Sequence, residues 1–184
     1  KEKVLYAESK ENHLNFFDNA DAELEGKLAL RPEGMTGEGT MFFGKATMLS
    51  YGYRYGLNVI DADTSEFKVL TNDLSSTAFK TTDVNSHVDF VSRLGEFKSN
   101  NGSSVVEFPE NQYVCYMDVF KWKMETGDID MESSNQNLTT IDSDLELTGS
   151  NFFSTHPDQD SLEFKSPKAT FDIKKKKLIC DKIT

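Results

Sequence analysis

"NQYVCYMDVFKWKM", Asn111 to Met124, decides the class of fold open to this chain. Successive side chains of a strand point to opposite faces. Val114, Tyr116, Phe120, Trp122 and Met124 therefore share one side, and Tyr113, Cys115, Met117 and Val119 the other. Apolar residues on both faces of the first half describe a strand enclosed by protein. Lys121 and Lys123 mark where one face emerges into water.

On either side the same pattern recurs. "RPEGMTGEG" (31–39) has the Pro and Gly content of tight reversals, and "GTMFFGKATMLSYGYRYGLNVID" (39–61) follows it. "FKVL" (67–70), "SHVDFVSR" (86–93) and "GEFKSNNGSSVVEF" (95–108) continue, and within the last of these Asn101-Gly102 is a strong hairpin signal between two strand-like runs. "SDLELTG" (143–149), "SLEFKSPKATFDI" (161–173) and "KLICDKI" (177–183) keep the period of two. "KVLYAESKENHLNFF" (3–17) alone reads as a short helix. The expected fold is all-β: an elongated antiparallel β-sandwich or jellyroll-like stack, with at most one short N-terminal helix. Residues 1–27 are expected to be a lead-in, and 28–184 one all-β domain. "MFFGKATMLS" (41–50) and "LEFKSPKATFDI" (162–173) both carry Lys-Ala-Thr and then an apolar residue shortly after a Phe, a self-similarity that suits stacked β-units.

The 184 residues include 14 Phe, 6 Tyr and one Trp, so the core should be built on Phe. Phe42, Phe90, Phe97, Phe108, Phe120, Trp122, Phe164 and Phe171 are its expected members. A net charge of -11 repels nucleic acid and anionic membrane surfaces, which argues against both as partners. Against that balance stand four consecutive lysines, Lys174 to Lys177. Strand-like residues flank them on both sides, so the run reads as a solvated hairpin connection. Cys115 and Cys180 each lie in an apolar run and read as small core residues rather than a bridge. No stretch approaches the roughly 20 apolar residues of a membrane span. The start "KEKVLYAESK" has no Met and no apolar signal core, as expected of a mature product or an excised region.

Candidate sites are few. Residues 125–163 hold ten Asp or Glu and no Lys or Arg, so "GDIDMES" and "TIDSDLEL" offer oxygen ligands to calcium; the wet face of a half-buried sheet is the simpler reading. Asp61, Asp63 and Glu66 supply the carboxylates a glycosidase needs, but carboxylates are abundant throughout. His13, His87 and His156 have no zinc spacing, and nucleophile-elbow, Walker and dinucleotide motifs are absent. No metal, cofactor or catalytic residue is therefore expected. In "SYGYRYGL", Tyr51, Tyr53 and Tyr55 share a strand face, the candidate ligand-binding residues; exposed, they would stack sugar rings or an apolar chain, and inward they would cover the core. Asn101 and Asn137 fit the glycosylation acceptor pattern.

"ALRPEGMTGEGTMFFGKATMLS", "DADTSEFKVL", "VDFVSRLGEFKSN", "VEFPENQYVCYMDVFKWKM" and "PDQDSLEFKSPKATFDIKKKKL" together resemble a region of very large cell-envelope or secreted proteins of Bacteroidetes. In pattern, "LEFKSPKATFDIKKKKLICDKI" is also similar to the repeating unit of OstA-like periplasmic proteins of lipopolysaccharide transport. That second resemblance implies stacked strand pairs lined by Phe, around an apolar trough able to hold lipid. It transfers no functional residue, because such a trough is defined by apolar character alone. The expected function is a non-catalytic structural or binding module of a larger envelope protein, periplasmic or on the outer surface, or of a secreted one. Its partners would be the other domains of the parent protein, with lipid or glycan as ligand; a lipid or lipopolysaccharide-type carrier and a glycan-binding or glycan-cleaving module are the alternatives.

Overall fold

The computed structural model describes residues 3–9, 13–16, 22–133, 150–160 and 162–183. They form strands and turns, with one 3-10 turn at Pro157–Gln159. The first eight strands are β1 (Leu5–Glu8), β2 (Leu14–Phe16), β3 (Ala22–Arg31), β4 (Gly34–Phe43), β5 (Ala46–Tyr55), β6 (Val59–Leu70), β7 (Thr77–Asp89) and β8 (Leu94–Ser99). The rest are β9 (Ser104–Phe108), β10 (Tyr113–Met117), β11 (Val119–Lys123), β12 (Ile129–Glu132), β13 (Ser150–Ser154), β14 (Glu163–Ser166), β15 (Lys168–Asp172) and β16 (Lys177–Asp181). The fold is all-β. In place of the helix expected in residues 3–17, the described residues include two strands: β1 and β2 both pair with β3, and β3 runs through position 28 without a break.

Strands β3 to β8 form a meander in which each pairs with the next. At β7 the sheet divides. Its C-terminal half pairs with β8, which leads on through β11, β12 and β15 to β16. Its N-terminal half pairs with β9, which leads through β10 and β13 to β14. The whole sheet is strongly coiled. Phe43 on β4 and Trp122 on β11 are five ladder steps apart, about 24 Å in a flat sheet, yet their rings lie 6.1 Å apart. Phe108 on β9 and Phe171 on β15 meet likewise, at 5.2 Å. The coiling thus produces a sandwich-like body with one interior.

How the strands bend is written in their burial. Along β5, Ala46, Met48 and Ser50 point inward, and then Tyr53 and Tyr55. Along β6 the inward residues are Ile60 and Ala62, and then Ser65, Phe67 and Val69; along β7 they are Phe79 and Thr81, and then Val84, Ser86 and Val88. β5 changes parity where its register against β4 shifts, and β6 and β7 change parity where the register between them shifts, because a bulge inserts an extra residue and bends the chain. Aligned across neighbouring strands, the bulges form a crease. Small hydroxyls line its inner side: Ser50 donates to the carbonyl of Thr64, Ser65 to that of Val84, Thr81 to that of Val105 and Ser104 to that of Asp83. These bonds satisfy carbonyls at or beside the irregular ladder, which burial would otherwise leave without partners.

The crease corrects two expectations. Residues 111–124 are two strands, β10 and β11, broken at buried Asp118, so Cys115 and Met117 and then Phe120 and Trp122 face inward. There the chain leaves the β9–β13 ladder for the β8–β12 ladder, the behaviour of a strand turning a corner between layers. Asn101-Gly102 does not close a hairpin either. β8 and β9 do not pair with each other; they lie in succession along β7, and residues 100–103 make an excursion where the crease crosses. Asn100 and Asn101 both donate to the Asp83 carboxylate there. The "SDLELTG" expectation lies outside the described residues.

The Phe-rich interior is present. Phe97, Phe108, Phe120 and Phe171 are at most 2% exposed, and Phe90 and Trp122 are also buried. Each fully buried Phe contributes about 1.5–3 kcal/mol. Phe42 is the exception: Phe43 takes the inward place, and Phe42 stacks on His13 at 4.8 Å on the other face. Phe164 is half-buried and stacks on Phe152 at 4.9 Å. The lysine run occupies the β15–β16 connection, with Asp172 paired to Lys177 across it. Lys175 bonds to Asp172, and Lys176 to Glu110.

Candidate functional site

The three tyrosines do not share one face. The bulge between Ser50 and Tyr53 leaves Tyr51 83% exposed and turns Tyr53 and Tyr55 into the core, where their rings lie 5.8 Å apart. Tyr53 donates its hydroxyl to the Met48 carbonyl, and the Tyr55 hydroxyl rests 3.7 Å from the Met41 sulfur. Burial pushes both phenols well above their ordinary pKa, and Tyr55 adds to the effect on Tyr53. A stacking platform is therefore replaced by one exposed ring beside an open depression that also contains Tyr6, Arg31 and Arg54.

Asp61, Asp63 and Glu66 each have a basic partner. Asp63 makes a two-pronged bond with Arg54, at 2.7 and 2.8 Å, which holds its carboxyl below the ordinary range. Asp61 meets His87 Nδ1 at 2.7 Å, and Glu66 pairs with Lys68. A glycosidase acid needs a carboxyl kept protonated, and the surroundings of Asp63 act in the opposite direction. In the acidic stretch, Asp130 accepts from Thr170 at 3.0 Å and pairs with Lys123, and Glu132 pairs with Lys168. Among the described residues no three His, Cys, Asp or Glu side chains gather to hold a metal ion. "TIDSDLEL" and Asn137 lie outside them, and Asn101 sits exposed in the 100–103 excursion.

Both cysteines carry free thiols. Cys115 is fully buried in β10 and Cys180 half-buried in β16. Burial raises both thiol pKa values, that of Cys180 to about 11.

A site that period-two reading did not find lies at the end of the sandwich where turns converge. The β4–β5, β6–β7, β7–β8, β11–β12 and β15–β16 connections surround a cleft of about 250 Å³. Its floor is aromatic: buried Phe43 lies 5.8 Å from Phe90 and 6.1 Å from Trp122. Its rim carries Lys45, Arg93 and Lys174, with Glu125 as the one carboxylate among the described lining residues. Three side chains from three separate turns thus concentrate positive charge on a protein of net charge -11. None of the three has a carboxylate within 4 Å among the described residues.

The cleft is held open by its own turns. Lys45 donates to the Asn72 side chain at 2.7 Å, and Asn72 reaches the carbonyls of Ile173 and Lys174, so three turns are tied together. Arg93 has a left-handed backbone (φ 58°), and its carbonyl accepts from the Met124 amide at 3.1 Å. Trp122 is 4% exposed, and its indole N–H finds no acceptor among the described residues. A buried donor without a partner costs about 1–3 kcal/mol, so such groups are rare. Of this site, the sequence displayed the lysine run, the lone Trp and Phe90, the last two as core residues.

Fold and site together define an all-β protein with a coiled antiparallel sheet and an aromatic cleft at one end. No family model matches the chain, and no curated protein or solved structure is significantly similar to it. Among the described residues no helix is long and apolar enough to cross a membrane.

Proposed function

We propose that this chain is a non-catalytic binding module of a larger cell-envelope or secreted protein, with its ligand seated in the cleft at the turn-rich end. The observation that carries this reading is the cleft itself, a preformed aromatic recess framed by turns on a rigid sheet, as small-molecule sites commonly are. Two others support it. Of Asp61, Asp63 and Glu66, the carboxylates best placed by sequence for acid–base work, Asp63 and Glu66 are engaged by Arg54 and Lys68, and Asp61 is hydrogen-bonded to His87. Between the layers, Phe67 stacks on Phe97 at 4.2 Å and Phe108 meets Phe171, so side chains fill the space a lipid trough would need. The envelope or secreted setting rests on the resemblance to Bacteroidetes proteins.

Native mass spectrometry on protein purified gently from a bacterial envelope lysate tests this reading, with hydrophobic-dye binding measured alongside. The expected result is an adduct of small-molecule mass and little dye uptake by the native state. A bare mass would favour a purely structural module, and strong dye uptake with a lipid adduct would favour the carrier.

A further inference from the structure

The chemistry of the cleft indicates what it takes. An aromatic floor binds a flat apolar body. Lys45, Arg93 and Lys174 outnumber Glu125 at the rim, so the lining carries a net positive charge. Cations without a carboxylate partner lose solvation when a cleft is covered, unless the ligand brings the opposite charge. Arg93 also has the planar fork that grips a carboxylate through two parallel bonds.

We propose that the cleft binds a small planar organic acid, with its apolar ring against Phe43, Phe90 and Trp122 and its carboxylate among Lys45, Arg93 and Lys174. The proposal deepens the binding-module reading and rests on it. Neutral sugars fit the lining less well, because they would leave three ammonium and guanidinium groups facing a ligand without charge. A lipid tail would leave the cations unmatched as well.

Trp122 is the only tryptophan in the chain, so its emission reports the cleft directly. The test titrates the protein with benzoate, benzamide and acetate, which separate ring-plus-charge, ring alone and charge alone. Tryptophan emission and calorimetry are both followed. Benzoate should perturb Trp122 and bind at least about tenfold more tightly than either partial probe, the worth of one charge-assisted hydrogen bond. Arg93→Asn should bring benzoate down to the level of benzamide. Asn suits the left-handed backbone at this position, so the turn is kept while the cation is lost. Lys174→Gln, in an exposed turn, should weaken benzoate without affecting benzamide, and added salt should do the same. Equal binding of benzoate and benzamide, or no response to either substitution, overturns the acid assignment but leaves the cleft as a binding site. If no probe perturbs Trp122 even at millimolar concentration, the cleft is not a small-molecule site, and both readings fall.

Discussion

Tyr53 illustrates what a single side chain contributes here. It is wholly enclosed, its ring meets Tyr55, and its hydroxyl is committed to the Met48 carbonyl. Because burial holds both phenols protonated, folded and unfolded chains differ in proton binding at alkaline pH. Unfolded phenols ionise near pH ~10, while Tyr53 and Tyr55 keep their protons in the fold. Above that pH the native state binds more protons than the unfolded one, so stability should fall as pH rises from about 10. A series of urea midpoints across this range checks the sign. Tyr53→Phe should flatten the fall while costing about 1 kcal/mol at neutral pH through the lost hydrogen bond. A midpoint that stays level or rises through the same range would contradict the buried assignment.

Within the sheet, the crease is the feature that organises the strands. β3 and β4 come together so closely at its edge that a Cβ on Gly39 would lie 2.2 Å from the Glu25 carbonyl oxygen, and Gly39 has φ +129° besides. Gly39→Ala should therefore destabilise the protein by about 2 kcal/mol or more through backbone strain and strand separation. Gly52, two strand residues before Arg54 and equally a glycine, has nothing within 4 Å of the same added atom. Gly52→Ala should stay within about 0.5 kcal/mol of the parent in the same denaturant series. The contrast also explains what could be read from the chain. Alternation identified the strand class and most of the aromatic core, since period two holds on either side of each bulge. It misplaced Tyr51 relative to Tyr53 and joined β10 to β11, because a bulge shifts parity by one residue without a distinctive residue type to announce it. The end cleft was out of reach for a different reason. Lys45, Arg93 and Lys174 are far apart in sequence and meet only when separate hairpin turns end at the same side of the coiled sheet.

Over the molecule as a whole, the two halves are wired differently. β3 to β8 pair in sequence order, whereas β13 returns to β10 and β15 returns to β12 across longer stretches of chain. Local pairings close at lower loop entropy, so the meander should form early in folding and the returning strands late. Ile60 on β6 and Ile129 on β12 are both fully buried, and Ile→Val at either should cost about 0.5–1.5 kcal/mol. For Ile60→Val most of that loss should appear as slower refolding, and for Ile129→Val as faster unfolding. The reverse allocation in stopped-flow kinetics would place the nucleus in the second half. During synthesis the same wiring has a further effect. The meander can assemble on the ribosome while the second half is still being made, and until β11 arrives the aromatic residues of β4, β6 and β7 that Phe120 and Trp122 cover remain open, the stage at which this chain is most exposed to aggregation.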